Sequence, residues 1–306
     1  MSARRRALGG PVLALLGALA AGCRVDFLLD DHTEQPAPPG TPPGGEAPRP
    51  ASTPAPPPQK APSVHLELGT PKDGDPADDH LMIKPQYALS YNEKRNGASW
   101  VSWRLEAGDF GPAPRHKGKF LSDDTLPEGF YRVRHDDYSG SGYDRGHMVR
   151  SEERTRTPED NKATFLMTNI LPQTHDLNAG PWLRLEEYAQ DLAQKEKRTL
   201  HVVAGGIFNK GRTPATIGKE VAVPDSFFKA IVVLDRGQGA LDVGEATRVI
   251  AVIMPNKEGI LSEGWGKYRR TVDEIERRSG YDLLPAVPEP VQRVIEAQVD
   301  RGPTGP

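Results

Sequence analysis

The chain has 306 residues and a formal net charge of −3, and 12 of its 30 prolines fall between positions 36 and 62, a density incompatible with regular secondary structure. The 237 residues from 64 to 300 suffice to bury a core without cross-links, and apolar runs at 231–234 and 249–254 exclude a disordered or fibrous chain. The mildly acidic balance also excludes a molecule-wide basic field, so any polyanion must be held by local arginines.

Arg4, Arg5 and Arg6 precede an apolar stretch over 7–21, interrupted by Gly9, Gly10, Pro11 and Gly17. At about fifteen residues it is too short to span a bilayer and reads as an export signal. It ends in Leu19-Ala20-Ala21-Gly22-Cys23, and Cys23 is the chain's only cysteine. This ending resembles a bacterial lipobox, with Ala20 where most lipoboxes carry Leu. The resemblance implies a lipoprotein signal peptide over 1–22 and a lipid anchor on Cys23. With Arg24 rather than Asp following, it also implies an exported protein held at an outer membrane, the cell surface or the periplasm. Plain secretion with Cys23 as a free thiol is the alternative, and lipidation removes that exposed thiol. Losing the three arginines takes the net charge to −6. Residues 23–63 form a Pro-rich tether without fold, extended by up to about 3.1 Å per residue where polyproline II forms. The folded domain spans 64–300, and 301–306 form a tail without structure. A lone cysteine leaves that domain without a disulfide.

Along the domain, the acidic run 73–79 lacks EF-hand spacing and reads as a solvated junction. Residues 87–91 and 100–105 predict the strands of a hairpin turned by 93–97, with Val101, Trp103 and Leu105 on one face and Ser102 and Arg104 on the other. Runs at 200–203, 227–234 and 249–254 add three β-branched strands. Helices are predicted over 181–195, 272–278 and 291–299. Strands with helices inserted between them, without βαβ alternation, predict an α+β fold: a central antiparallel or mixed sheet with flanking helices. Pro181 fits a first helical position, and Trp182, Leu185, Ala189 and Leu192 mark a buried stripe. Glu186 lies at its edge, where a carboxylate needs a partner. Surface pairing toward Arg184 or Lys195 is the plain alternative.

Tyr143-Asp144-Arg145-Gly146-His147 follows a Gly-rich turn at 139–142. On a strand, Arg145 and His147 share a face. An arginine fork suits phosphate oxygens and an imidazole can take a proton from nearby water. Taken singly, each residue is ordinarily a solvated charge or a satisfied polar group.

The segment 138–147, reading Tyr-Ser-Gly-Ser-Gly-Tyr-Asp-Arg-Gly-His, resembles the signature of the DNA/RNA non-specific endonuclease family. Glu159-Asp160-Asn161, 164–169, Leu171-Pro172-Gln173 and 182–188 follow in the family's order. Residues 84–92 and 247–251 extend the likeness over most of 81–299. The resemblance implies a ββα-metal active-site motif and an endonuclease that hydrolyses phosphodiester bonds of DNA and RNA, single-stranded or duplex, to 5′-phosphate products. Residue by residue, it makes His147 the general base and Asn178 the single protein ligand to a divalent cation, Mg²⁺ with Mn²⁺ as a substitute. It makes Glu186, eight residues further on, the acid ordering that ion's water. Arg145 and Arg115 become the phosphate-binding arginines, with Arg132 and Arg134 as neighbours in sequence that compete for the Arg115 role. Asn169 becomes a supporting amide beside the ligand and Asp144 a structural acid. His175 is read as a loop residue near the substrate or in solvent, not as a ligand. Two rivals stand beside this reading: a surface lipoprotein that binds extracellular nucleic acid without cleaving it, and a phosphodiesterase of small nucleotides. No residue identifies an inhibitor protein.

Overall fold

A computed structural model describes residues 61–305. The signal peptide, the lipobox and all but the last residues of the tether lie outside them. In chain order the elements are β1 (His80–Ile83), β2 (Ala88–Asn92), β3 (Gly97–Leu105), β4 (Asp144–His147), α1 (Pro158–Ala163), β5 (Ile170–Gln173), α2 (His175–Leu177), α3 (Leu183–Gln194) and β6 (Thr199–Ile207). There follow β7 (Thr216–Ile217), β8 (Val221–Ala222), β9 (Ser226–Leu234), β10 (Arg248–Pro255), β11 (Arg269–Arg270), α4 (Val272–Ser279) and α5 (Glu289–Ile295). Seven strands form one sheet in the order β1-β2-β3-β6-β9-β10-β11, every neighbouring pair antiparallel. β4 and β5 pair separately, as do β7 and β8. The fold is α+β. None of the described helices is long and apolar enough to cross a membrane.

Both faces of the large sheet are covered. Val101, Trp103, Ile231, Ile250 and Val252 pack with Trp182, Leu185, Ala189 and Leu192 of the α3 layer. Trp100, Phe228, Val232, Ala251 and Ile253 pack with Val272, Ile275, Leu283 and Ile295 on the other side. Burial on two faces is why β9 reads as an almost continuous apolar run rather than an alternating one. It also explains why Ser102, expected to face outward, is buried with its hydroxyl donating to His65 O at 2.6 Å.

Several expected boundaries change. The helix predicted over 181–195 is regular only from Leu183, because Gly180 departs from helical geometry (φ −103°, ψ −119°). The last helix spans Glu289–Ile295 rather than 291–299. Pro290 fits its first turn, and the carbonyl of Glu296 is taken by the Asp273 N–H at 3.2 Å, after which the chain departs. The end of the chain, expected to lack structure, is held: Trp265 Nε1 donates to Thr304 O at 2.9 Å and Arg248 Nη2 to Pro303 O at 3.1 Å. The acidic run is exposed over 74–77, as a solvated junction would be, but its end is tied down. Asp78 accepts from Asn92 Nδ2 at 2.8 Å, and Asp79 from Ser90 and from the Tyr281 hydroxyl.

Two buried histidines lock the N-terminal segment onto the sheet. His65 donates through Nε2 to Pro85 O at 3.0 Å and accepts from Arg104 N at Nδ1, at 3.2 Å. His201, on β6, is buried with Nε2 3.6 Å from a Glu67 oxygen. Burial first, then nearby arginines, push both down to about 4. A depressed folded-state value means that the unfolded chain binds the proton first as pH falls, so this stability is present above about 6.5 and lost on the way to 4. His201→Gln should therefore flatten the loss of unfolding free energy between pH 7 and pH 5 by about 2 kcal/mol relative to the parent. Urea titrations of both proteins across that range measure the difference, and parallel curves would refute it.

Candidate active site

The site is built on β4 and β5 and on the helical segment that follows. The antiparallel register sets Asp144 against Gln173 and His147 against Ile170. Gly146 is required at its place because a Cβ there would collide with the Gln173 side-chain amide. After β5 the chain forms α2 and then one wide turn, Asn178–Trp182, before α3 begins. At the kink a Cβ on Gly180 would meet the Leu261 carbonyl oxygen at 2.9 Å, so only glycine lets the 261 backbone come this close. Two strands and a kinked helix result, with Asn178 before the kink and Glu186 after it.

His147 is half-buried at the end of β4, its ring 5.3 Å from Phe120 and 5.0 Å from Phe165, the latter edge-on. Its Nε2 is enclosed without a hydrogen-bond partner. Nδ1 is neither enclosed nor bonded and is the nitrogen open to a water. Burial, and then the Arg115 guanidinium, push its pKa down to about 3. The imidazole is thus neutral across the ordinary pH range, with a lone pair free to accept a proton.

Asp144 ties strand to helix. Its Oδ2 accepts from Asn178 Nδ2 at 3.1 Å and meets His175 Nδ1 at 2.9 Å. A carboxylate only accepts, so the Asn178 amide turns its nitrogen inward and leaves Oδ1 unpaired. One hard, neutral oxygen with water around it suits a cation that keeps most of its hydration shell, as Mg²⁺ does. Among the described residues, two clusters of three carboxylates come within 4.8 Å, Asp73 with Asp78 and Asp79, and Asp273 with Glu276 and Glu296. Neither includes a residue of this site. His175 is exposed, and its Nδ1 lies 2.9 Å from the same Asp144 oxygen that Asn178 reaches.

Of the two arginines, Arg145 flanks Phe120, its guanidinium 5.8 Å from the Phe120 centroid and 5.6 Å from that of Tyr138. Its Nε and Nη2 both donate to His135 O, at 3.2 and 2.7 Å, so the edge expected to grip phosphate is partly occupied and Nη1 is the end left open. Arg115 lies over Phe165 at 5.0 Å and donates to Ser151 and, at 2.7 Å, to Glu152. Arg132 instead reaches Leu126 O at 2.8 Å, outside this constellation. Asn169 supports the site through the backbone. Fully buried, it accepts from Val149 N at 3.0 Å and donates to Val149 O and Thr164 O, each at 2.9 Å. Its amide pins the chain just after His147 and makes no hydrogen bond to Asn178.

Glu186 is buried with Oε1 3.2 Å from Lys229 Nζ, while Oε2 has Arg150 at 3.9 Å and no hydrogen bond. Burial raises its pKa, and Lys229 and Arg150 oppose the rise. Lys229 sits between Trp103 and Trp182, 5.5 and 4.1 Å from their centroids. Glu153, beneath it, accepts from Trp103 Nε1 at 2.8 Å and is pushed up to about 7 by burial. Sequence reasoning missed Lys229 and Arg150. A lysine inside the apolar run 226–234 was the available signal, since lysine is almost never buried without a partner.

Strand, strand and helix in this order, an imidazole on the first strand and an amide before the helix, are the framework of ββα-metal nucleases, and that is the class of this fold. Residues 66–289 match the family described as DNA/RNA non-specific endonuclease. A protein named Nuclease from Nostoc sp. (strain PCC 7120 / SAG 25.82 / UTEX 2576) is 46% identical over 243 residues, covering 78% of this chain and 86% of its own. Nuclease EXOG, mitochondrial, of Xenopus laevis is 30% identical over 230 residues, 72% of this chain, and the chain spans 61% of that relative. Among solved structures, a chain from a crystal structure of the EndoG/EndoGI complex shares the fold, with a TM-score of 0.63 at 24% identity, covering 75% of this chain and 94% of that one. The chain belongs to the DNA/RNA non-specific endonuclease family and is a nuclease.

Removing the buried ammonium tests the network under the site. Lys229→Met leaves Glu186 and Glu153 without their shared counter-charge and should cost about 3–5 kcal/mol of unfolding free energy. Adding Glu186→Gln should return part of it. Guanidinium denaturation of the single and double variants provides the measurement, and equal stability of Lys229→Met and the parent would refute the coupling.

Proposed function

We propose that this nuclease hydrolyses phosphodiester bonds in DNA and RNA, single-stranded or duplex, without sequence preference, using a divalent cation, Mg²⁺ or Mn²⁺, and leaving 5′-phosphate and 3′-hydroxyl ends. The observation that carries the reading is an imidazole whose Nε2 has no partner, on the same short strand as Arg145 and Asp144, with Asp144 bonded to Asn178.

In this reading Asn178 holds the cation through Oδ1. When bound, the cation supplies stabilisation of charge on the phosphate and on the departing oxygen. His147 removes a proton from the attacking water at Nδ1, and the negative phosphate beside it raises the imidazole's proton affinity from its depressed resting value. The open end of Arg145 and the Arg115 guanidinium hold the phosphate oxygens and meet the charge that grows on them. Glu186 Oε2 accepts hydrogen bonds from water at the edge of the site. Phosphate contacts carry no base information, which accounts for tolerance of sequence and sugar. We also propose that the enzyme is exported and tethered by a lipid on Cys23, on the strength of the arginines, short apolar stretch and small residues before that cysteine.

Digestion of plasmid and RNA by the purified protein, with and without a chelator, tests the proposal. A binder without activity retards nucleic acid and leaves its length unchanged, and a small-nucleotide phosphodiesterase prefers dinucleotides to polymers. His147→Ala should lower turnover by about 10²-fold or more, and Arg145→Ala should lower kcat and raise KM together. Wild-type rates in the His147 variant would remove it as the base. Products that a ligase cannot rejoin would refute the assigned ends.

A further inference from the structure

On the face of the large sheet away from α3, α4 and the end of α5 bring three carboxylates together. Asp273 and Glu276 lie in the first two turns of α4, and Glu296 directly follows α5. One oxygen from each lies within 4.8 Å of the other two. The elements are already joined by the Asp273 N–H donating to Glu296 O, and Glu276 Oε1 accepts from Leu283 N at 2.8 Å. Glu296 is only 6% exposed, and its Oε1 is enclosed with no hydrogen-bond partner.

A buried, unpaired carboxylate is costly unless a positive charge reaches it. None of the three acids takes part in an ion pair among the described residues. Of the basic side chains nearby, Arg278 reaches Ser226 Oγ at 3.2 Å, Arg270 lies 3.6 Å from Glu274, and Lys72 lies 3.6 Å from Asp282, a fourth acid beside the cluster; Arg277, four residues after Asp273, is exposed and pairs with no acid among the described residues. Burial and these neighbouring acids push Glu276 up to about 7 and Glu296 up to about 8. The other acidic cluster differs in burial: Asp78 Oδ1 is likewise without a partner, but Asp73, Asp78 and Asp79 are all only half-buried, whereas Glu296 is buried.

We infer that Asp273, Glu276 and Glu296 form a divalent-cation site, separate from Asn178, that clamps the start of α4 to the end of α5. Oxygens in one Ca²⁺ shell, at about 2.4 Å from the ion, lie at most about 4.8 Å apart, and the cluster satisfies that limit without rearrangement. Asp273 is exposed, so waters complete the shell on its side. Irregular carboxylate geometry with open water positions suits Ca²⁺ better than Mg²⁺, which demands a near-ideal octahedron.

The test uses the full chain carrying Asn178→Ala, which removes the proposed active-site donor, with calcium chloride or EGTA as the only variable. Calcium at about 100 times its Kd should raise Tm by about 5 °C or more, and calorimetric titration should show one site. Glu276→Gln/Glu296→Gln in the same background should abolish both signals, and Asp273→Asn, at an exposed position, should weaken calcium affinity at least about tenfold while folding normally. The inference is overturned if calcium leaves the Tm of the Asn178→Ala protein unchanged, or if the shift survives in the double variant. It also fails if Tm declines from pH 6 to pH 8 identically with calcium and with EGTA, the behaviour of carboxyls that share a proton instead of a cation.

Discussion

The Asp144 carboxylate is the joint on which the site is assembled. It begins β4, the strand that ends at His147, and its Oδ2 holds both His175 and Asn178 from the helical segment. Strand and helix belong to segments separated by more than thirty residues, so their relative placement depends on this contact and on the β4–β5 ladder. The same contact orients chemistry. Because a carboxylate cannot donate, the amide facing it presents nitrogen inward and oxygen outward. A charge on the strand thereby decides which atom the helical segment offers to its surroundings.

Beneath this joint the charges alternate. Arg115 meets Glu152, Glu152 meets Arg150, Arg150 approaches Glu186, and Glu186 meets Lys229. The chain of pairs runs from a partly exposed arginine to an ammonium enclosed by two tryptophans. His147 lies at its Arg115 end, against Phe120 and Phe165, which explains why both desolvation and positive charge favour its neutral form. Burial and the Arg115 charge therefore act in the same direction on the imidazole proposed as the base, and Glu152 opposes them.

The strands were legible because their residues are β-branched or aromatic and bounded by breakers. Observed β9 and β10 lie within one residue of the expected bounds at each end. The site motif was legible because Asp144, Arg145 and His147 are contiguous. What escaped was non-local. Pro181 suggested a helix start, but the chain kinks at Gly180, where the backbone of Leu261, distant in sequence, packs too close for a side chain, and the regular helix begins only at Leu183. Asn169 was read as a supporting amide from its place in the family's motif, which says nothing of its partners. Only the tertiary structure shows its donors and acceptor taken by Val149 and Thr164. Lys229 was concealed by an apolar strand, and the chain end by carbonyls that any residue could supply.

The wide turn at Asn178–Trp182 has a consequence for how the two halves of the helical segment respond to change. In an uninterrupted helix, inserting one residue between Asn178 and Glu186 would rotate one against the other by about 100°. Here the Gly180–Pro181 break uncouples their azimuths, Asn178 being indexed by a strand carboxylate and α3 by its apolar stripe against the sheet. Slippage or lengthening of α3 is thus absorbed as a change of hinge angle, and the Asn178 amide keeps its bearing on the β4–β5 pair.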